Sequence, residues 1–309
     1  MNSPSEYTDF IRQKAAELGF DACGIAPSAY LADEAPRLEK WLEDGFHAGM
    51  QYMANHKDIR LDPQLLVSNA RSVIVLLSNY FPPEMMKPEA PYRISAYAYG
   101  QDYHEVIRGK MKLMAHSLSE QIPGITIRSF VDSAPLLERS WATRAGLGWI
   151  GKNSLMITRK QGSFFFLSEL ITDLELQYDE PFGGNYCGDC NRCMTACPTG
   201  ALVEPFRLDA GKCISYQTIE NKGEIPEELR GKYENWIFGC DICQLVCPWN
   251  RFSTVHKEPV FLPKPELRDM TAEKWENIEK EQFDVLFRKS AVKRAKFDGL
   301  KRNIAFLKK

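Results

Sequence analysis

The stretch CGDCNRCMTACP, from Cys187 to Pro198, decides what kind of fold this chain can form. Its four cysteines have the spacing C-x2-C-x2-C-x3-C and are followed by a proline, as in bacterial ferredoxins. Three closely spaced thiolates can surround one face of an iron-sulfur cubane, and the proline turns the backbone away after the fourth. The spacing therefore predicts that this stretch binds [4Fe-4S] clusters.

A second cysteine run, CDICQLVCP, extends from Cys240 to Pro248 with the spacing C-x2-C-x3-C. A full repeat would need a cysteine at position 237, which is Ile237, so Cys213 is the candidate for the missing ligand. In two-cluster ferredoxins the fourth cysteine of each run binds the other cluster. The predicted ligands of cluster one are Cys187, Cys190, Cys193 and Cys247, and those of cluster two are Cys197, Cys213, Cys240 and Cys243.

Structural zinc and disulfides are the alternative uses of these thiols. Zinc ribbons use paired C-x2-C knuckles and rarely a C-x2-C-x2-C-x3-C-P run. Disulfides would require an oxidising compartment. The spacing favours two [4Fe-4S] clusters, and it predicts electron transfer without identifying a substrate. The ninth cysteine, Cys23, lies in an apolar stretch and is predicted to be a core thiol, because free cysteine packs as a small hydrophobic residue.

Composition is that of an ordinary globular protein, with 309 residues, 44% of them apolar and 26% charged. No apolar run reaches membrane-spanning length, and Met1 to Phe10 lacks the basic and apolar regions of a secretory signal. The many thiols predict a reducing cytoplasm and no membrane association. Residues 288–309 contain nine Lys or Arg residues and one acidic residue, Asp298. This tail therefore carries a charge of +8, and the remainder of the chain carries −10. A basic tail on an acidic body predicts a polyanionic partner.

Periodicity and turn residues predict helices over 3–18, 37–56, 105–118 and 133–145, and strands over 21–27, 72–77, 125–131, 155–158 and 163–171. The last two strands are expected to form a hairpin. Asp132 stands at the end of a predicted strand, where α/β folds place chemistry, and either Asp132 or Ser133 is expected to cap the next helix. Three short helices are predicted over 271–278, 281–289 and 291–306.

Gly146, Gly148 and Gly151 form the pattern G-x-G-x-x-G. A dinucleotide-binding fingerprint follows a strand and opens a helix, whereas this pattern follows a predicted helix and leads into a strand. We therefore reject nucleotide binding here and predict that the glycines allow close approach of the backbone to a bulky neighbour.

The cysteine pattern resembles that of the epoxyqueuosine reductase family when it is taken together with YGQDYH (Tyr99 to His104), VDSAPLLER (Val131 to Arg139) and AGLGWIGKNSL (Ala145 to Leu155). These motifs occur in matching order over nearly the whole chain. The resemblance implies an α+β fold with a reductive-dehalogenase-like, cobalamin-binding α/β core, a ferredoxin-like domain with two [4Fe-4S] clusters and a C-terminal helical, HEAT-like segment. The predicted bounds of these three parts are 1–177, 178–260 and 261–309.

This family reduces an epoxide on the modified wobble base of certain tRNAs, which completes queuosine. The resemblance implies cobalamin and two [4Fe-4S] clusters as cofactors, tRNA as substrate and an external low-potential electron donor, with the chain acting as a monomer. The proton-donating aspartate of the family corresponds to Asp132. Partial desolvation beside a corrin is expected to raise the pKa of this carboxyl group and to keep a proton available.

Two groups of polar residues are candidates for further contacts. Lys57, Arg60, Lys152, Asn153 and Ser154 are candidates to hydrogen-bond corrin amides, although a surface or capping role is as good an interpretation of each. The apolar residues Phe297, Leu300, Ile304 and Leu307 are expected to dock on the body and to leave the neighbouring cations facing out toward tRNA phosphates. The candidate tRNA-binding residues are Lys289, Lys293, Arg294, Lys296, Lys301 and Arg302.

Two other functions are consistent with the cysteines. One is a different corrinoid-dependent reductase, similar to dehalogenases, that acts on a small molecule. The basic tail argues against it, because a small substrate needs no such tail. The other is a ferredoxin-type electron carrier, which the long segment before the first cysteine run does not favour.

Overall fold

The computed structural model describes residues 3–308. Its helices in that range are α1 (Pro4–Glu17), α2 (Ala35–Glu43), α3 (Gln51–Ala54), α4 (Lys57–Leu61), α5 (Tyr103–Gln121), α6 (Glu138–Arg144), α7 (Arg192–Thr195), α8 (Ile214–Ile219), α9 (Ile242–Leu245), α10 (Pro265–Arg268), α11 (Ala272–Glu276), α12 (Lys280–Leu286) and α13 (Lys296–Leu307). Its strands are β1 (Ala22–Pro27), β2 (Ser72–Asn79), β3 (Arg93–Ile94), β4 (Ile127–Phe130), β5 (Trp149–Ile150), β6 (Met156–Ile157), β7 (Phe165–Thr172), β8 (Leu202–Glu204), β9 (Arg207–Leu208) and β10 (Trp236–Phe238).

The core of the chain is an antiparallel four-stranded sheet in the order β1-β2-β7-β4. The strand β2, SVIVLLSN, is buried along its whole length, because β1 and β7 pair with both of its edges and helices cover both faces. A continuous apolar run is what such a position requires. Cys23 lies in β1 against the core, and burial raises the pKa of its thiol to about 12.

Each face of the sheet packs against a different set of helices. Helices α1 and α5 bury Ile11 and Met111 against Ile74 and Leu170 on one face. On the other face, α6 buries Trp141 among side chains that include Val73, Val75, Phe130 and Ile171. This second face carries the functional residues described below, because β4 ends beside α6.

The predicted hairpin is wrong. The short strand β6 pairs with β5, whereas β7 enters the central sheet between β2 and β4. A single bridge between Thr158 and Gly162 is the contact across the turn. The turn itself was correctly placed, but the sequence did not distinguish a hairpin partner from a sheet partner.

The helix predicted from residue 133 begins six residues after Asp132, at Glu138, and neither Asp132 nor Ser133 caps it. Residues 131–137 instead form an irregular loop, with Asp132 in the left-handed region at φ 47°. The helix predicted over 37–56 is likewise interrupted, since turns separate α2 from α3.

Two glycines of the G-x-G-x-x-G pattern adjoin the protein's own backbone. A Cβ atom at Gly148 would lie 2.1 Å from the carbonyl oxygen of Ile157, and one at Gly146 would lie 2.7 Å from that of Glu180. Gly146 also has a positive φ of 74°. Gly148 therefore allows the β5–β6 pair to pack closely, and Gly146 allows the segment at Glu180 to approach.

The C-terminal helices share a hydrophobic core with the rest of the chain. Leu300 and Ile304 of α13 are buried together with Ile94, Ala98 and Phe238, and β10 pairs with β3 in parallel. The predicted docking of Phe297 and Leu307 also agrees with their packing against this core. The helix predicted over 291–306 is split, because a 3-10 turn over Ala291–Ala295 precedes α13. Packing thus crosses both predicted domain boundaries.

Within residues 3–308, none of the helices is long and apolar enough to cross a membrane.

Candidate functional site

The N-terminus of α5 is fixed in place by the C-terminal part of the chain. The backbone N–H of Asp102 donates to the carbonyl oxygen of Lys289 at 2.6 Å, and Asp102 Oδ1 accepts the backbone N–H of His104 at 3.0 Å. At Gly100, a Cβ atom would lie 2.3 Å from the carbonyl oxygen of Val260, so only glycine allows this approach. The side chains that follow therefore project from a rigid position.

Four side chains, Asp102, Tyr103, His104 and Asp132, form what we call the acid network. The Tyr103 hydroxyl donates to Asp132 Oδ2 at 2.5 Å, and His104 Nε2 lies 3.5 Å from the same oxygen. His104 Nδ1 lies 2.7 Å from Asp102 Oδ1. The Tyr103 ring stacks on Phe166 at 4.1 Å between centroids and on His104 at 4.0 Å. Two proton-bearing groups are thus held against one carboxylate oxygen.

The loop after β4 presents Asp132 to the interior of a cavity. Its backbone N–H donates to Glu138 Oε1 at 2.9 Å, so the first residue of α6 holds the loop. The side chain of Asp132 is 58% exposed, which leaves the oxygen not bonded to Tyr103 free to meet a ligand. Asp132 does not cap α6, because this helix begins at Glu138 with Leu137 at the N-cap position.

Electrostatics place the proton of the acid network on the imidazole. Burial lowers the pKa of His104, but its hydrogen bonds with Asp102 and Asp132 outweigh burial and raise the pKa to about 9. Burial raises the pKa of Asp132, but its hydrogen bonds with His104 and Tyr103 outweigh burial and lower the pKa below its usual range. The prediction of a raised Asp132 pKa is therefore wrong, since two donors stabilise the charged carboxylate.

Two further carboxyl groups lie behind the acid network. Burial, followed by the charge of Asp132, raises the pKa of Glu138 to about 8. Glu169 of β7 is opposite Val75 and Phe130, on the face covered by α6, and is fully buried. Within residues 3–308 neither of its oxygens has a hydrogen-bond partner, and burial raises its pKa well above the usual range. Burial therefore favours the protonated form of both Glu138 and Glu169.

The sequence analysis missed the roles of Tyr103, Glu138 and Glu169. A signal was present for Glu169, since it is the single charged residue in the strand FFLSELIT. Tyr103 was part of the motif YGQDYH, but its sequence position did not reveal that it would reach Asp132.

The acid network lies on the wall of a cavity of about 2120 Å³. Small-ligand pockets have about 300–1,000 Å³, so this cavity has room for a large cofactor together with part of a substrate. Its lining includes Tyr97, His104, Asp132, Trp149, Phe206 and Arg294. Two of its lining residues, Arg60 and Trp149, have buried N–H groups (Nε and Nε1) without a partner in the described part of the chain.

The predicted cofactor contacts fall into three groups by position. Arg60 and Ser154 line the large cavity, and the second guanidinium nitrogen of Arg60 donates to the carbonyl oxygen of Tyr52 at 2.6 Å. Lys152 and Asn153 instead face the cysteines, where they donate to the carbonyl oxygens of Gly188 and Cys243. Lys57 is outside the cavity lining and pairs with Glu39 at 2.9 Å.

The eight cysteines gather in two sets. A small cavity of about 40 Å³ is lined by the four thiols expected for cluster one. In the other set, burial and then the neighbouring thiols of Cys213 and Cys197 raise the pKa of Cys243. Burial, followed by the charges of Cys243 and Cys213, also raises the pKa of Cys240 well above its usual range. Both sets have the composition that a crossed, two-cluster arrangement would use.

Within residues 3–308, groups of three or more His, Cys, Asp or Glu side chains close enough to hold a single metal ion are absent. The four thiolates of a [4Fe-4S] cluster each bind a different iron, so they surround the cluster and do not converge on one point.

The six predicted tRNA-binding cations do not share one environment. Lys289, Lys293, Arg294 and Lys296 are exposed, although Lys293 pairs with Asp284 and Arg294 with Glu220. The other two do not face out as expected, because they bond to backbone carbonyl oxygens of neighbouring segments. Lys301 donates to that of Glu276, and Arg302 donates to those of Gln217, Asn221 and Gly223.

Family models match two parts of the chain. A model described as "4Fe-4S double cluster binding domain" matches residues 186–250, and one described as "Epoxyqueuosine reductase QueG, DUF1730" matches residues 60–133. An epoxyqueuosine reductase of Cellulophaga algicola is 54% identical over 308 residues, with 100% of both chains covered. That of Escherichia coli is 43% identical, with 96% of this chain and 79% of the E. coli protein covered.

Solved structures show the same relationship. An epoxyqueuosine reductase with an epoxyqueuosine-modified tRNA-Tyr stem loop has a TM-score of 0.88 and 31% identity, with 98% of this chain and 80% of that chain covered. The Bacillus subtilis enzyme, with its catalytic aspartate loop swung out of the active site, has a TM-score of 0.89 and 29% identity, with 98% and 81% covered.

A catabolic reductive dehalogenase shares the fold at a TM-score of 0.50 and 16% identity, covering 99% of this chain and 36% of the dehalogenase. The fold is thus the predicted one, with a dehalogenase-like core, a two-cluster domain and C-terminal helices. The acid network, the paired sets of cysteines and full-length identity to curated enzymes lead to one conclusion: this chain is an oxidoreductase that belongs to the epoxyqueuosine reductase family.

Proposed function

We propose that this chain reduces the epoxide of epoxyqueuosine at the tRNA wobble position and thereby produces queuosine. The observation that carries the proposal is the acid network on the wall of a large cavity, in a chain of this family. A ferredoxin-type electron carrier would need no such cavity, and full-length identity to epoxyqueuosine reductases favours this substrate over a small molecule.

The chemistry sets what the protein must provide. Removal of the epoxide oxygen as water, with formation of an alkene, consumes two electrons and two protons. Each [4Fe-4S] cluster delivers one electron at a time. In our proposal, Cys187, Cys190, Cys193 and Cys247 hold cluster one, and Cys197, Cys213, Cys240 and Cys243 hold cluster two. The gathering of the thiols into these sets supports the assignment.

Cobalamin fits the large cavity in volume and in the donors that its walls provide. When bound, it supplies a strongly reducing, nucleophilic cobalt centre, which is the chemistry of the cofactor itself. Arg60 and Trp149 have unpartnered N–H groups, and Ser154 lies on the same lining. These residues would hold the corrin. Lys57, Lys152 and Asn153, by their positions, would not.

The acid network supplies protons at the departing oxygen. Asp132 contacts the oxygen, and the imidazolium of His104 holds the proton that Asp132 passes on. Tyr103 fixes the orientation of the carboxyl group through its hydrogen bond. Because the pKa of His104 is about 9, the proton is available at neutral pH and is lost as the pH rises through about 9.

The tRNA is held by the exposed cations of the C-terminal helices. A wobble base must leave its stack to reach a recessed site, and the adjoining phosphates then lie against the protein. Lys293 and Arg294 line the cavity and are exposed, with Lys289 and Lys296 nearby in the chain. We further propose that the chain acts as a monomer. Its thiols suit the reducing cytoplasm, where an external donor supplies electrons.

The proposal is tested with holoenzyme reconstituted anaerobically with iron, sulfide and cobalamin. Mass spectrometry of epoxyqueuosine-containing tRNA before and after reduction should show loss of the epoxide oxygen. Asp132→Asn should fold and bind cobalamin but lose at least about 100-fold in turnover, the usual scale for a general acid. Asparagine tolerates the left-handed backbone of this position, so the fold is kept.

The pH profile identifies the source of the proton. Wild-type turnover should fall above about pH 9, with the pKa of His104, and His104→Gln should remove that limb of the profile. His116→Gln, the same change at an exposed histidine of α5 outside the cavity lining, is the matched control and should retain the wild-type profile. Near-normal turnover in cobalamin-loaded Asp132→Asn would refute the role of Asp132, and unreduced tRNA with the wild-type enzyme would refute the function.

A further inference from the structure

The segment that carries Cys187, Cys190 and Cys193 lies at the protein surface, whereas the segment that carries Cys240 and Cys243 is more deeply buried. Cys187, Cys190 and Cys193 are half-buried, and most other residues in 183–192 are exposed. By contrast, the segment around Cys240 and Cys243 is flanked by side chains that are nearly or fully buried, among them Phe238, Asp241 and Gln244. An electron that arrives from outside therefore meets cluster one first.

The surface beside cluster one carries an aromatic row that we call the cluster-one face, made of Tyr186, Trp249 and Phe252. Tyr186 is 41% exposed and Phe252 is 38% exposed. The ring centroid of Trp249 lies 5.9 Å from that of Phe252 and 4.9 Å from that of Trp149, which lines the large cavity. Exposed aromatic rings of this kind are typical of protein interfaces.

Three arginines surround the cluster-one face. The guanidinium of Arg159 lies 4.0 Å from the ring centroid of Tyr186, and that of Arg251 lies 4.5 Å from that of Phe252. Arg192 lines the small cavity between the cluster-one thiols. All three side chains belong to exposed residues, and none forms an ion pair with a carboxylate of residues 3–308.

The positive charge of this face contrasts with the chain as a whole, which carries a net charge of −2. Lys160 adds a further exposed cation next to Arg159, and Asp189 is the exposed acid in the same cysteine loop. Unpaired cations around an aromatic centre complement an acidic partner, which they attract over a distance.

We propose that the cluster-one face is the docking surface of a small acidic protein that carries one low-potential electron. This inference rests on the proposed function, for which it names the class of electron donor and the place where the donor binds. In each encounter the donor loses one electron and cluster one gains it. Two encounters supply the two electrons for one epoxide, and the two protons enter separately at the acid network.

The RNA is the other polyanion that this face could attract. The face is separated from the acid network by Trp149, which lines the large cavity on one side and contacts Trp249 on the other. Lys293 and Arg294, the candidate tRNA-binding cations that line the large cavity, belong to a different surface. These positions favour the donor.

The test uses the reconstituted holoenzyme and a reduced acidic ferredoxin as the probe, without tRNA. Stopped-flow absorption follows ferredoxin oxidation as the clusters are reduced. Arg159→Glu, Lys160→Glu and Arg251→Glu combined, which spare Arg192 because it lines the cluster-one site, should slow this second-order reaction at least about tenfold at low ionic strength. The difference should shrink at high salt, because screening weakens the attraction in the wild type. Lys87→Glu, Lys112→Glu and Arg268→Glu combined change the net charge equally at exposed sites elsewhere and should leave the rate within about twofold.

Two further measurements distinguish the possible failures. With reduced methyl viologen in place of ferredoxin, the triple variant should reduce its clusters and the epoxide at wild-type rates. Its affinity for an epoxyqueuosine-containing stem loop should also be unchanged. An unaltered rate of ferredoxin oxidation in the triple variant would overturn the docking proposal. If RNA binding were weakened at the same time, the cluster-one face would be part of the RNA-binding surface instead. Because cluster reduction is followed without tRNA, the result does not depend on whether epoxyqueuosine is the substrate.

Discussion

The wall that carries the acid network and the segment that carries the cysteines hold their geometry by different means. The wall rests on long elements, with β2 and β7 of eight residues each and α5 of 19. The cysteine segment, 186–250, has much shorter ones, and α7 and α9 have four residues each. Packing thus fixes the proton-donating half of the site, whereas thiolate–metal bonds must fix much of the electron-donating half.

The largest expected effect comes from removing one thiolate. Cys213→Ala should lower the iron content from about eight to about four per chain, because cluster two loses a ligand and cluster one keeps its four. Epoxide reduction should cease, whereas amide protons of β2 should stay protected from exchange. Iron analysis, electron paramagnetic resonance and hydrogen exchange measure these outcomes.

Cys23→Ala is the matched control for that change, since Cys23 lies in β1 and belongs to the core. This variant should retain all of its iron. If Cys213→Ala removed the cluster of Cys187 instead, the crossed assignment would be wrong. Loss of protection in β2 would show that the sheet also depends on the metal.

A smaller effect is expected at Glu169, which tests how far packing alone sustains the sheet. A carboxyl group with a raised pKa retains its proton in the folded state and loses it in the unfolded chain. Stability therefore falls as the pH rises above about 4.3, the unfolded value, by at most about 1.4 kcal/mol per pH unit. Glutamine does not titrate, so the stability of Glu169→Gln lacks this pH dependence. Its free energy of unfolding should therefore rise relative to that of the wild type as the pH increases.

Denaturant unfolding of both proteins at several pH values between about 5 and 8 measures this difference. The control Glu175→Gln changes an exposed glutamate, paired with Arg71, and should shift stability by no more than about 0.5 kcal/mol. Equal pH dependence in Glu169→Gln and the wild type would mean that Glu169 finds a partner for its charge.

The smallest effect is expected from the C-terminal cations. Lys293→Glu, Arg294→Glu and Lys296→Glu combined should weaken the binding of all cognate tRNAs alike. The slope of the logarithm of the binding constant against the logarithm of the salt concentration should become shallower by somewhat under one unit per lost phosphate contact. Since Lys293 and Arg294 already pair with Asp284 and Glu220, the reduction should be less than three full contacts. Binding titrations at several salt concentrations measure the slope.

Lys301 offers a comparison within the same helix. It donates to the carbonyl oxygen of Glu276, so Lys301→Gln should affect helix packing more than RNA affinity. Unchanged tRNA affinity and salt slope in the triple variant would place the RNA elsewhere. Cluster content should be the same in all of these proteins.

Local patterns predicted the elements that packing requires. The run SVIVLLSN could only be a buried strand, and the helix over α5 follows from its period. The cysteine spacing similarly predicted two sets of thiols. These predictions were correct because each depends only on residues that are close together in the sequence.

Contacts between distant residues could not be predicted in this way. The sequence identified Asp132 through a motif, but the pKa of Asp132 depends on Tyr103 and His104, which belong to α5 and lie about 30 residues earlier in the chain. Lys301 and Arg302 looked like free cations, because the carbonyl oxygens that bind them lie far away in the chain. Strand β6 pairs with β5 for the same reason, since pairing depends on the whole sheet.

The hydrogen bonds of α13 limit which substitutions this helix can accept. The side-chain amide of Asn303 is fully buried and donates to the carbonyl oxygens of Thr218 and Ile237, each at 2.8 Å. Most replacements would leave both carbonyl groups without a donor, at a cost of about 1–3 kcal/mol each. We expect the outer surface of this helix to accept many substitutions over evolutionary time, whereas the position of Asn303 should accept almost none.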